Sequence, residues 1–274
     1  MNNIKKPLLK IRKKIDKIDG KMHDLVMERA ELVLQVIKEK EKVSKENLVI
    51  YRPAREHEIL VRLIKRHKGK ISLKALIFLW RNLISIYISI QGELKLSFAG
   101  QIDDAVRSHF GSEIKINKVR HNISCLKVLS ENKAHIIVLP YPNKINDWWS
   151  RLDSFQGVSI IGGISKKFNG KTTALILSKQ DIEYSSKNTA LYVLKINAKI
   201  VNAYCKFIAS KGYDLICKKN ISSDIAMILF STDVESEAEE KNKLLELNNF
   251  ELNNNLKPKN IGIFAVLNKD ILYE

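Results

Sequence analysis

Residues 8–40, LLKIRKKIDKIDGKMHDLVMERAELVLQVIKEK, decide how the rest of the chain is read. Leu8, Ile11, Ile15, Ile18, Met22, Leu25, Leu32 and Val36 recur at alternating spacings of three and four. This is the heptad seam of a long helix that packs against other helices. Only Gly20 weakens the run, at roughly 1 kcal/mol relative to Ala. The seam position between Leu25 and Leu32 is Arg29. A guanidinium on an apolar seam needs a partner, because burying it unpaired is costly. On a solvated basic helix, a neighbouring carboxylate such as Glu28 or Glu31 supplies that partner. On a functional helix, the partner is an anionic ligand.

Two further cations bear on the choice. Lys40 lies 11 residues beyond Arg29, three turns on and nearly the same face, so both can lean toward one small anion. Arg12 lies 17 residues before Arg29, about 25 Å along the helix. If all three serve one site, Arg12 must come from a second copy of the chain running antiparallel, which predicts a homodimer.

Composition narrows the function classes without choosing among them. The chain has 274 residues, enough for two or three domains with cores of their own. The most apolar stretch, 73–90, is interrupted by Lys74, Arg81, Asn82 and Ser85, so no membrane span is expected. The start, MNNIKKPLLK, runs directly into the amphipathic helix without a signal-peptide pattern. Cys125, Cys205 and Cys217 are odd in number and lack metal-ligand spacing. Together these features predict a cytoplasmic protein with reduced thiols and no metal. Residues 1–92 hold 22 Lys and Arg against 10 Asp and Glu. That excess suits either nucleic acid or a small anion.

Pro53, in the first turn, and Glu56 open a second helix that runs to about His67, with Ile59, Leu60, Leu63 and Ile64 inward. Ser72 is the expected N-cap of a third helix, which runs to about Gln91. Its expected stripe is Leu73, Leu76, Trp80, Leu83, Tyr87, Ile90 and Leu94. The first third is therefore long helix, short helix, long helix.

Arg12, Arg29, Lys40, the pair Arg55-Glu56 in YRPARE and Gln91 in WRNLISIYISIQ resemble the all-helical chorismate mutases, over about residues 5–92. The resemblance implies an interlocked dimer of three-helix chains that binds chorismate without a cofactor. It implies that Arg29 and Arg12 of the partner subunit hold the two carboxylates. Lys40 would bridge a carboxylate and the ether oxygen, Gln91 would donate to that oxygen, Glu56 would accept from the ring hydroxyl, and Arg55 would support the wall. Two positions depart from the family pattern. Arg52 stands where an acidic residue is frequent, and Tyr87 stands where some members carry a Ser that touches substrate. Tyr87 either donates through its hydroxyl or packs.

Beyond Leu94 the texture changes to short apolar runs bounded by turn residues: LKLSFAG, HIIVLPY, VSIIGG and TTALILS. These read as buried strands. DDAVRSHFG and NDWWSRLDSF read as helices between them, giving an α/β unit with a partly parallel sheet. From about 188 the order is strand, helix, strand, strand, helix, strand, the βαββαβ ferredoxin-like arrangement.

The tail resembles a reduced prephenate dehydratase followed by an ACT regulatory domain. The expected dehydratase motifs are missing: LSFAGQIDDAVRSHFG lacks the glycine-rich start, and VLPYPN keeps only Asn143. Thr172-Thr173-Ala174 lacks the Arg that accompanies the catalytic Thr in that family. The tail is therefore expected to have no dehydratase activity. INAKIVNAY replaces the Pro-Gly-Ala-Leu turn that holds phenylalanine in ACT domains. The expected boundaries are 1–93, 94–184 and 185–274. The expected function is chorismate to prephenate isomerisation. The alternatives are a bifunctional mutase-dehydratase, a mutase sensing an aromatic amino acid through its tail, and a non-enzymatic basic dimer binding nucleic acid. Glu56 and Gln91 argue against the last, since an electrostatic nucleic-acid binder uses neither. The six histidines form no ligand pattern, and Trp148-Trp149 read as core anchors.

Overall fold

The computed structural model describes residues 5–43, 49–165, 171–247 and 256–267. The expected loop at Ser44–Asn47 and most of the Asn-rich segment before the last strand lie outside the described residues. Three helices come first: α1 (Lys5–Val43), α2 (Pro53–Arg66) and α3 (Leu73–Gln91). Pro53 stands at the start of α2, Glu56 lies in its first turn, and Lys65 and Arg66 lie in its last. That distribution complements the helix dipole at both ends. Ser72 caps α3, its side chain accepting from the Ala75 amide at 3.2 Å.

The faces of these helices differ from the simple stripes. In α1 the half-buried apolar side chains are Val26, Ala30, Val33, Leu34 and Ile37, one or two positions off the heptad seam, and Arg29 and Lys40 are half-buried with them. The seam from Leu8 to Val36 stays open in the single chain, with Ile11 at 55% and Leu25 at 63% exposure. In α3 the buried residues are Ile77, Ile84, Ser85, Tyr87 and Ile88. The expected Leu73, Leu76, Trp80 and Leu83 are only half-buried, and Ile90 is exposed. The reason is that α3 packs on more than one side. It lies against α1 and α2, while Ile84 and Ile88 join a core with Phe98, Val138 and Ile176 of the sheet. Length and composition alone would let α3 cross a membrane, but it serves as a core helix here.

The remaining elements are β1 (Leu96–Ala99), α4 (Asp103–Phe110), β2 (Ile116–Val119), α5 (Asn122–Ser130), β3 (Ile136–Pro140), β4 (Ser159–Ile164) and β5 (Ala174–Ser178), then β6 (Asn188–Asn197), α6 (Val201–Ser210), β7 (Asp214–Asn220), β8 (Ile225–Val234), α7 (Glu237–Leu247) and β9 (Lys259–Phe264). Every strand run read from the sequence is present. The pair β2–α5 was not anticipated, because Ile116–Val119 is a short, half-exposed edge strand with no apolar run. Residues Trp148–Ser154 form a 3-10 segment instead of a helix. Trp148 and Trp149 are both buried there, and the Trp148 indole donates to the Pro140 carbonyl at 2.9 Å.

Nine strands form one sheet in the order β2-β1-β3-β5-β4-β9-β6-β8-β7. β1 pairs parallel with β2 and β3, after which β3, β5 and β4 run antiparallel. The last four strands take the order β9-β6-β8-β7 with helices α6 and α7, a βαββαβ unit. The sheet continues across residue 184 through a parallel contact of β4 with β9, where Ile160 pairs with Gly262. Gly262 has φ +146°, and a Cβ there would overlap the Ile160 backbone, so only glycine permits this seam.

Candidate active site

Sequence reading named seven residues for one site. The structure places five of them in three groups and leaves Arg12 and Arg55 exposed outside these. Arg29 of α1 lies over the Tyr87 ring of α3, its guanidinium carbon 4.0 Å from the ring centroid. Tyr87 is buried and donates its hydroxyl to the Val26 carbonyl at 3.1 Å, which fixes the ring as a platform. Gln91, one turn further, donates from Nε2 to the Tyr87 carbonyl at 3.1 Å. Arg29 Nη1 is buried with no hydrogen-bond partner among the described residues. A guanidinium N–H in that condition is costly unless an acceptor is supplied. Tyr87 thus packs beneath the cation with its hydroxyl on the Val26 carbonyl.

Lys40 forms the second group. Its Nζ donates to the Val49 carbonyl at 2.8 Å, tying the end of α1 to the segment that leads into α2. Its pKa is lowered, first by partial burial and then by the Arg52 charge, with Glu183 opposing. Arg52 itself pairs with Glu183 at 2.7 Å, and Gln180 donates to the Tyr51 carbonyl at 3.0 Å. The strand-end loop after β5 therefore holds the entrance to α2. At the position where an acidic residue is frequent in the family, Arg52 uses its charge on the C-terminal half of the chain.

The third group is Glu56. Its carboxylate is 4.0 Å from Arg81 and lines a water-sized cavity with Tyr51, His57, Arg81 and His109, between the helices and the sheet. Burial raises its pKa to about 7, outweighing the opposing Arg81 charge. Burial, aided by Arg81, lowers His57 to about 4 and holds His109 well below the usual imidazole range. The Tyr51 hydroxyl and His109 Nε2 are 3.2 Å apart. Arg55 is exposed and pairs with Glu58 at 3.4 Å within its own helix. Arg12 is exposed on α1 and makes no polar contact among the described residues.

The single chain thus assembles Arg29, Tyr87 and Gln91, keeps Lys40 on an adjoining segment, and turns Glu56 toward the sheet. Sequence reasoning missed Arg81, Gln180 and Glu183. Arg81 was visible as the one cation in the middle of an apolar helix, yet its partner on another helix was not legible. Gln180 and Glu183 carried no signal, being 129 and 131 residues from the groups they hold. Thr172, the candidate remnant of a dehydratase Thr, borders a separate cleft with Tyr141, Thr189 and Asp214. Among the described residues no group of three or more His, Cys, Asp or Glu is placed to hold a metal ion.

Comparison with known proteins gives the helical region a family. Residues 11–92 match the family model "Chorismate mutase type II", so the chain carries a domain of that family at its N-terminal end. The chain is 34% identical over 97 residues to the bifunctional chorismate mutase/prephenate dehydratase of Aquifex aeolicus (strain VF5), covering 34% of this chain and 26% of the relative. It is 27% identical over 110 residues to the protein of the same name from Stutzerimonas stutzeri, covering 38% and 30%. The chain therefore matches under a third of the length of these relatives. Among solved structures, the prephenate dehydratase from Staphylococcus aureus subsp. aureus Mu50 aligns with 63% of this chain and all of its own, at 10% identity and a TM-score of 0.46.

Proposed function

We propose, from the chorismate mutase type II domain at residues 11–92, that this protein isomerises chorismate to prephenate, within aromatic amino acid biosynthesis. The observation that carries the reading is Arg29. A buried guanidinium N–H without an acceptor lies on a fixed aromatic platform beside Gln91, inside the segment that matches the family. A ligand carboxylate is the group that would satisfy it.

The reaction is a unimolecular pericyclic rearrangement, so the site needs no nucleophile, metal or cofactor. It must hold the enolpyruvyl arm over the ring, and it must set fixed positive charge where the ether oxygen gains negative charge. Arg29 takes one carboxylate, and Lys40 and Gln91 donate to the ether oxygen. Lys40 and Gln91 spend their donors on backbone carbonyls in the ligand-free chain, at 2.8 and 3.1 Å. Both contacts use flexible side chains that can turn to a substrate. Glu56 accepts from the ring hydroxyl, and Arg55 supports the pocket wall. The second carboxylate goes to Arg12 of the partner subunit.

The open seam of α1 supports the dimer. Eight regularly spaced apolar side chains from Leu8 to Val36 are about half-exposed in one chain. An antiparallel copy of the same helix would cover them and bring Arg12 across. We assign the βαββαβ unit as ACT-like, with an aromatic amino acid as its candidate effector. Dehydratase chemistry is not part of the proposal, because Thr172-Thr173-Ala174 lacks the accompanying Arg.

The deciding experiment mixes purified protein with chorismate and follows loss of its ultraviolet absorbance. Prephenate and phenylpyruvate are then assayed without acid treatment. Prephenate accumulating alone is the expected result. No loss of chorismate would overturn the mutase reading, and phenylpyruvate above the blank at neutral pH would overturn the inactive-tail reading.

A further inference from the structure

Arg81 has no role in the proposed mutase chemistry beyond its pairing with Glu56, and its side chain is only 13% exposed. Its polar contacts are few and long. Nη1 lies 4.0 Å from Glu56 and donates to the His109 carbonyl at 3.5 Å. Among the described residues, Nε and Nη2 have no acceptor. The Nε–Nη2 edge is the edge of a guanidinium that grips a carboxylate with two parallel hydrogen bonds. That edge is not among the buried atoms left without a partner, so it stays open toward the cavity and a ligand can grip it without displacing a protein group.

Arg81 also lines a second cavity, of about 280 Å³, between the front of α3, α4 and the end of β4. Its apolar walls are Ile77, Phe78, Ala105 and Ile164, and Ser165 and His109 stand beside Arg81. The Ser165 Oγ is buried and has no hydrogen-bond partner among the described residues. Ser72 and Lys74 at the first turn of α3 also border the cavity, which adds the positive end of the helix and a second cation. The cavity thus combines apolar walls of roughly ring size with one cation that has an open edge and one buried, unsatisfied hydroxyl, the composition of a small-molecule site.

We infer that this cavity is a binding site for a small monocarboxylate with an apolar, ring-sized body. The carboxylate seats on the free edge of Arg81, the Ser165 hydroxyl donates to it, and the body lies between Ile77, Phe78 and Ile164. The site lies between α3, α4 and the end of β4, and Arg29, which rests on the Tyr87 ring, does not line it. The claim stands whether or not the protein is a mutase.

The test is calorimetric titration of the full chain with 3-phenylpropanoate, with 3-phenylpropanamide as the neutral control. Saturable binding of the acid, weakened by about tenfold or more in the amide, is expected from loss of a charge-assisted pair. Arg81→Met removes the anchor but also leaves Glu56 without its cation, so a second variant is needed. Phe78 is 57% exposed, and Phe78→Glu places a negative charge at the cavity wall without emptying the core. Both variants should weaken the acid by about tenfold or more, while Arg29→Ala should leave it unchanged. Equal binding of acid and amide, no heat at millimolar acid, or binding lost in Arg29→Ala and retained in Phe78→Glu would each overturn the assignment.

Discussion

The front half of α1 and the strand β3 both present apolar side chains at regular intervals, and they end in opposite surroundings. Leu8, Ile11, Ile15 and Ile18 are about half-exposed, whereas every residue of Ile136–Pro140 is buried. β3 finds its cover within the chain, between β1 and β5 and beneath the two tryptophans. Among the described residues, nothing buries the seam of α1. The sheet region completes its own core. In the proposed dimer, a second copy covers the seam of the helical region.

The largest effects should fall on the side that needs a partner. Lys40→Ala should lower the turnover number by about 10²–10³-fold, the usual contribution of one preorganised donor at a developing negative oxygen. Steady-state assay with chorismate measures it, and an unchanged turnover would remove Lys40 from the mechanism. Ile15→Lys combined with Leu25→Lys should dissociate the dimer and cut activity by about 10²-fold or more, because Arg12 of the partner subunit is lost. Sedimentation reads the first effect. Hydrogen exchange of β3 and β5 should stay as protected as before, since those strands borrow nothing from the seam.

Glu56 sits where the two regions meet, and its titration sharpens the comparison. Its pKa is about 7 in the folded chain, against 4.5 as the ordinary value. Between these values the folded protein keeps a proton that the unfolded chain has lost. Its contribution to stability therefore falls as pH rises from 4.5 to 7, by an amount on the order of 3 kcal/mol. His57 works the other way, because its folded value is about 4 against 6.5, so its contribution rises with pH over that window. Denaturant titrations across pH 4–8 should show Glu56→Gln gaining on the wild type between 4.5 and 7 and running parallel elsewhere. Parallel curves throughout would mean that Glu56 is ordinary in the folded state.

A gentler break uses complementation. Arg12→Ala and Arg29→Ala chains should each be poorly active alone. Mixed and reassociated at random, they should recover about a quarter of wild-type activity, since half the dimers are mixed and one of their two sites is intact. No recovery would argue that Arg12 acts within its own chain or not at all. The smallest effect is expected at the clamp between the regions. Arg52 is 48% exposed in its pair with Glu183, and Glu183→Ala should cost about 0–1 kcal/mol by thermal or denaturant unfolding.

The three helices and the Ser72 cap were legible because helix periodicity and capping are local. The strands of the tail were legible as apolar runs, and the βαββαβ order followed from their spacing. β2 escaped because an edge strand buries too little to leave an apolar pattern. The stripe of α3 was misplaced because a helix packed on several sides is apolar nearly all round, and periodicity then no longer names its inner face. Glu56 was named from the resemblance, but its neighbours Arg81 and His109 were not, since residues 25 and 53 positions away leave no local trace.

By itself, then, the sequence determined most of the elements, the family of the helical third and the apolar seam of α1, all of which rest on interactions within a few turns. Only the tertiary structure decided that one sheet runs through both halves of the tail, because that seam depends on Gly262 meeting Ile160 across 102 residues. It also decided which cations are buried with unused donors. That depends on what the rest of the chain brings to Arg29 and Arg81, and no local pattern encodes it.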